Sequence, residues 1–150
     1  MQLEDRVAIV LGAARGFRRK GGAMIFMLIH WRIKPTHEAE TQFLQFWTEH
    51  VKIADKTQLV GEFLSTPLPA HEFPFLVDDW SREQSHHPCR HFLNIGIWQS
   101  WEAFYAQVHS YLDDDQPLLP FEVERRTRTV LTPKQWRIGL SDLPAVGSCE

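Results

Sequence analysis

Residues 24–33, MIFMLIHWRI, leave few folds open to this 150-residue chain. The stretch is apolar, is stopped by Lys34-Pro35, and sets Ile25, Met27, Ile29, Trp31 and Ile33 on every second position. That alternation predicts a strand with one wholly apolar face. Thr36 then stands where a helix N-cap belongs, with Glu38 and Glu40 in the first turn, where the helix dipole favours acids. Ala39, Phe43, Phe46, Trp47 and Val51 recur at three- and four-residue intervals, predicting a helix to about residue 53 with one apolar stripe. Stripe and strand face must cover each other.

The rest of the chain continues in the same style. Residues 59–66 (LVGEFLST) predict a second strand, ended by Pro67 and Pro69, and 67–89 predict a long proline- and histidine-rich loop. Residues 91–98 (HFLNIGIW) predict a third strand. Ser100 caps a helix from 101 to about 111, with Trp101, Phe104, Tyr105 and Val108 on one face. Asp113-Asp114-Asp115, Pro117 and Pro120 break the chain before a fourth strand at 122–132 (EVERRTRTVLT). The order β-α-β-β-α-β is that of a ferredoxin-like α+β domain: one four-stranded antiparallel sheet with both helices on one face. The domain spans 24–132, with a flexible N-terminal extension at 1–23 and a polar C-terminal tail at 133–150. Its second sheet face lacks a cover within the chain, so a homodimer is expected.

Composition narrows the function classes. With 43% hydrophobic residues the chain can bury a real core, and a net charge of −3 gives no broad pull toward nucleic acid or an anionic membrane. The longest apolar run, 23–29, is far short of a membrane span. Two cysteines, Cys89 and Cys149, make no disulfide framework, which fits a reduced, cytoplasmic protein. Six tryptophans and ten phenylalanines point to an aromatic-lined cavity or an apolar interface. In HHPCRH (86–91), His86 and His91 lack the paired spacing of zinc ligands even with Glu72 or Asp78 added. No metal is expected, and the segment reads as a polar loop over a pocket.

Residues 3–17, LEDRVAIVLGAARGF, resemble the N-terminus of short-chain dehydrogenases through Gly12 and Gly16. Leu11 replaces the family's threonine and Arg18 its third glycine. Gly21-Gly22 ends any helix that would hold a pyrophosphate. The Tyr-x-x-x-Lys pair is also missing, since Tyr105 is followed by His109 and Tyr111 by Asp115. No dinucleotide cofactor is expected.

Alternation assigns His30, Arg32 and Phe26 to the face of the first strand turned away from the helices. Glu62, Asn94 and Trp98 are expected to join them there, with Arg126 and Arg128 of the fourth strand, or Arg125 in the other register. Apolar surroundings with a few convergent polar groups suit a small hydrophobic or aromatic ligand. Ile97-Trp98-Gln99-Ser100-Trp101-Glu102-Ala103-Phe104, with His109 downstream, resembles the W-x-S-x-E-A-F…H signature of the antibiotic-biosynthesis monooxygenase-like (ABM) proteins, which pair as dimeric α/β barrels. The resemblance implies a monooxygenase-like enzyme acting on a small aromatic or polyketide-like compound without metal or flavin. A non-catalytic binding or assembly protein, or an isomerase or cyclase using a histidine acid/base, are the other readings. In the haem-degrading branch an asparagine, a tryptophan and a histidine stand near His30-Trp31, Gln107 and Pro117 of this chain, so haem cleavage is not expected. For cofactor-free oxygenation His30 is the candidate base, with Asn94 or Arg32 holding the oxyanion. Phe26 and Trp98 would stack on the substrate, and Glu62, Trp31 and His109 complete the binding set. The alternative for His30, Arg32 and Glu62 is an inter-subunit hydrogen-bond network.

Overall fold

The structure, a computed structural model, describes residues 23–68, 87–135 and Arg137. The extension at 1–22, the 69–86 segment with His86, and most of the C-terminal tail lie outside the described residues. The elements follow the predicted order: β1 (Ile25–Ile33), α1 (His37–Gln45), β2 (Leu59–Ser65), β3 (Arg90–Trp98), α2 (Trp101–Val108) and β4 (Glu122–Leu131). Each neighbouring strand pair is antiparallel, in the spatial order β2-β3-β1-β4. The protein is therefore an α+β domain with one four-stranded antiparallel sheet and two helices, compatible with the ferredoxin-like arrangement.

Both helices start where the sequence places them. Thr36 Oγ1 accepts from the Ala39 amide at 3.2 Å, and Ser100 Oγ accepts from the Ala103 amide at 3.1 Å. Each cap satisfies a backbone N–H that the first helical turn leaves without a partner. The helices cover one sheet face. There Trp31 packs on Phe43 (ring centroids 5.1 Å apart) and Trp98 meets Phe104 edge-on at 5.8 Å. The apolar set of β1, Ile25 to Ile33, forms the floor of this core, as alternation predicts.

The first helix differs from expectation at its end. Instead of running on to about 53, it widens into a π turn at Phe46–His50, closed by the Val51 amide on the Phe46 carbonyl at 3.1 Å. Tyr111, beyond α2, then holds the turn's end: its hydroxyl donates to the His50 carbonyl at 2.9 Å. β4 also departs from a plain ladder. Between His30↔Thr127 and Arg32↔Glu124, β1 advances two residues while β4 advances three. This bulge sets both Arg125 and Arg126 opposite Trp31, on the helix-covered side.

Candidate functional site

The strand register sorts the candidate residues onto two faces, and it corrects the expected grouping. Ile29 is directly opposite Asn94, Ile25 opposite Trp98, and Glu62 opposite Gly96, which itself pairs with Met27. Directly paired residues share a face, so Asn94, Trp98 and Glu62 stand on the helix-covered side with Ile29 and Trp31. His30 pairs with Leu93 and Arg32 with His91, on the opposite side. The sheet therefore separates His30, Arg32 and Phe26 from Glu62, Asn94, Trp98 and Trp31. The grouping expected from alternation fails because the mutual phase of two strands is set by pairing, and a one-residue slip exchanges the faces.

On the helix side is a partly open cavity of about 190 Å³. Its apolar wall includes Trp31, Phe46, Trp47, Val51 and Phe104, and its polar groups include Glu62, Asn94, Arg125 and Arg126. The π turn supplies Phe46 and Trp47, with Val51 just after it. A wide turn inside a helix is a frequent companion of functional sites, but its residues obey the same three- and four-residue spacing as a regular helix. Nothing in the sequence distinguishes it.

Glu62 and Asn94 form the polar centre of the cavity. Asn94 is buried, and its Nδ2 donates to Glu62 Oε1 at 2.7 Å. Burial pushes the Glu62 carboxyl above the ordinary carboxylate range. The Asn94 hydrogen bond and the charge of Lys56 offset part of that rise. Among the described residues, Asn94 Oδ1 and Trp31 Nε1 are buried without a hydrogen-bond partner. Gly96 makes room for the arrangement: a Cβ there would lie 3.2 Å from Trp98 Nε1 and 3.8 Å from Glu62 Oε1. A glycine inside a strand marks such a close approach.

Arg126 closes the far wall. Its guanidinium lies 4.5 Å from the Trp31 ring centroid and donates to Glu122 Oε1 at 2.9 Å and to the Tyr111 carbonyl at 3.2 Å. Burial lowers its pKa despite the adjacent Glu122 carboxylate. Arg128 pairs with Asp114 at 2.8 Å, and Arg125 donates to the Gln116 carbonyl.

Three predicted binding residues do not line this cavity, Phe26 being on the opposite sheet face. Trp98 is 1% exposed and packed within the core, and His109 sits on the exposed 3-10 turn after α2, its Nδ1 3.0 Å from the Tyr105 carbonyl. On the opposite sheet face, His30 Nε2 lies 2.9 Å from His91 Nδ1, and Cys89 Sγ lies 3.6 Å from His91 Nε2. Arg32 approaches Glu124 at 3.9 Å. No group of three or more His, Cys, Asp and Glu side chains among the described residues is placed to hold a metal ion. No described helix is long and apolar enough to cross a membrane. The chain matches no protein-family profile, no curated protein and no solved structure.

Proposed function

We propose that the protein is a monooxygenase-like enzyme of the ABM type that takes a small aromatic substrate into the helix-side cavity. The observation that carries this reading is the pairing of an aromatic wall with one mutually bonded carboxyl–amide pair, the half-buried Glu62 and the buried Asn94. Planar rings stack on Trp31 and Phe46, while the polar pair addresses a single substituent. At about 190 Å³ the cavity suits a one- or two-ring compound rather than a large polyketide. In the reaction a phenolic substrate loses its proton and its ring donates electrons to dioxygen. The resulting ring hydroperoxide expels water, so that phenol plus O₂ becomes quinone plus H₂O with no metal or flavin in the balance.

The opposite face is assigned to a second copy of the chain. It presents Phe26, Leu28, Phe63, Leu93, Ile95 and Ile97 beside the His30–His91 pair. Apolar surface of this kind is covered by self-association in sheet-to-sheet barrels. His30 and Arg32 lie on this face, already buried within one chain, and so stand apart from catalysis in the helix-side cavity. The order β2-β3-β1-β4 and the W-x-S-x-E-A-F stretch at 98–104 support the ferredoxin-like assignment. The low cysteine content supports a cytoplasmic location.

The test is oxygen uptake with mono- and dihydroxynaphthalenes, in the presence of a chelator, over a heat-denatured control. Trp31→Ala, which removes the stacking wall, is expected to abolish uptake. Compounds that quench tryptophan emission but consume no oxygen would refute the enzyme and leave a binding protein. Sedimentation showing only monomer at micromolar concentration would refute the barrel.

A further inference from the structure

We propose that Glu62 is the proton acceptor of the cavity, that Asn94 is its positioning residue, and that the ligand is a neutral aromatic carrying a hydroxyl group that donates to Glu62. The inference rests on the helix-side cavity being the ligand site. Glu62 stands mid-strand on the half-buried edge strand β2, with its carboxyl at the cavity. Among the described residues its hydrogen-bond partner is Asn94 alone, at 2.7 Å. The other charged groups lining the cavity are committed elsewhere. Arg126 is held by Glu122, Arg125 by the Gln116 carbonyl, and Asp113 by the Asp115 amide and Gln116 Nε2. Lys56, on the turn before β2, acts on Glu62 through its charge. The carboxylate thus has no cation bonded to it among the described residues, which favours a hydrogen-bond donor as its ligand.

Gly96 strengthens the case. The strand directly opposite Glu62 gives up a side chain, and the space is shared by the Glu62 carboxyl and the Trp98 ring. Asn94, directly opposite Ile29 and two positions before Gly96, fixes which carboxyl oxygen is occupied and so which is offered to the ligand. The proton step is simple: the hydroxyl O–H bond breaks, the proton goes to the Glu62 carboxylate, and the electron pair stays on the substrate oxygen. Burial raises the proton affinity of the carboxylate, which makes it a better base for a phenol than a solvated glutamate.

The probe is 4-nitrophenol, with 4-nitroanisole as the analogue that has lost only the donor, each titrated by quenching of tryptophan emission. A hydrogen bond to a charged acceptor predicts that wild type binds the phenol about tenfold or more tightly than the anisole. Glu62→Gln is expected to bind the two about equally, and Glu62→Asp to keep part of the preference. The preference should fade as pH falls through the Glu62 pKa. Asn94→Ala, which removes a bond that lowers that pKa, should move the fade to higher pH, and a fade that stays in place would show that Asn94 does not act through Glu62. Equal binding of phenol and anisole by wild type would overturn the proposal while leaving the cavity as the ligand site. Failure of both probes to bind would overturn the cavity reading itself.

Discussion

Glu122→Leu isolates the most heavily buried charge pair among the described residues. Glu122 is 3% exposed and Arg126 9%, so both charges are almost fully withdrawn from water. The carboxylate accepts from Arg126 at 2.9 Å and from the Leu119 amide at 3.0 Å. Without it, the guanidinium keeps only the Tyr111 carbonyl and the Trp31 face. Stranding one partner of a buried pair costs about 3–5 kcal/mol. For a small domain that is a fall in Tm of more than about 12 °C, taking roughly 4 °C per kcal/mol. Urea titration and thermal melting, both followed by tryptophan emission, measure the loss. The second arm is Glu122→Leu with Arg126→Met. Burial, joined by the charges of Arg128 and Arg125, lowers the Arg126 pKa even with Glu122 beside it, so the attraction does not offset the cost of holding the guanidinium there. Removing both charges should therefore cost less than removing Glu122 alone. A single-variant loss under about 1 kcal/mol, the size for an exposed pair, would refute the reasoning. So would a double variant that loses more than the single.

Glu62→Gln should raise stability at neutral pH, because it removes a charge whose ionisation burial disfavours. Native Glu62 holds its proton to higher pH than unfolded Glu62, so wild-type stability falls as pH rises between those two pKa values. The variant should lack that slope in urea midpoints measured across the acid range, and a slope unchanged from wild type would contradict it. Thr36→Ala and Ser100→Ala should each cost about 1 kcal/mol in the same assay. Losses near zero would mean the caps are replaced by water at no cost. Gly96→Ala should shift the tryptophan emission, since a Cβ 3.2 Å from Trp98 Nε1 makes the buried ring give way by a few tenths of an ångström. An unchanged emission spectrum would show that the space beside Trp98 is not tight.

The elements were legible because each is specified by nearby residues. Strand alternation in 24–33, the stripe through Ala39 and Phe43, and the caps at Thr36 and Ser100 all depend on contacts within a few positions. The site was less legible because it depends on pairing between distant strands. Both faces of β3 carry aliphatic or aromatic residues, so its sequence is silent on whether Asn94 shares a side with Ile29 or with His30. The register Ile29↔Asn94 decides it. The same holds at β4, where the bulge brings Arg125 and Arg126 to one side although strict alternation would part them. The motif points to His109, but its exposed turn keeps it away from the cavity.

The buried and half-buried polar groups of the helix-covered face divide by how well they are compensated. Glu122 and Arg126 satisfy each other and fasten Leu119 and Tyr111 to β4, which is a sufficient structural account. Glu62 and Asn94 have no such return. Their mutual bond leaves Asn94 Oδ1 and the neighbouring Trp31 Nε1 buried without partners among the described residues, at about 1–3 kcal/mol for each such group. An aliphatic pair at 62 and 94 would pack against Ile29 and Phe104 without that cost. Of the unpartnered buried atoms, Asn94 Oδ1 and Trp31 Nε1 belong to residues lining one cavity, beside the π turn at Phe46–His50, whereas Arg128 Nε and Glu40 Oε2 lie outside it. Stability lost at one place for no structural gain is the expected signature of a site kept for its chemistry, which is why the case rests on Glu62 and Asn94 rather than on the better-satisfied Arg126.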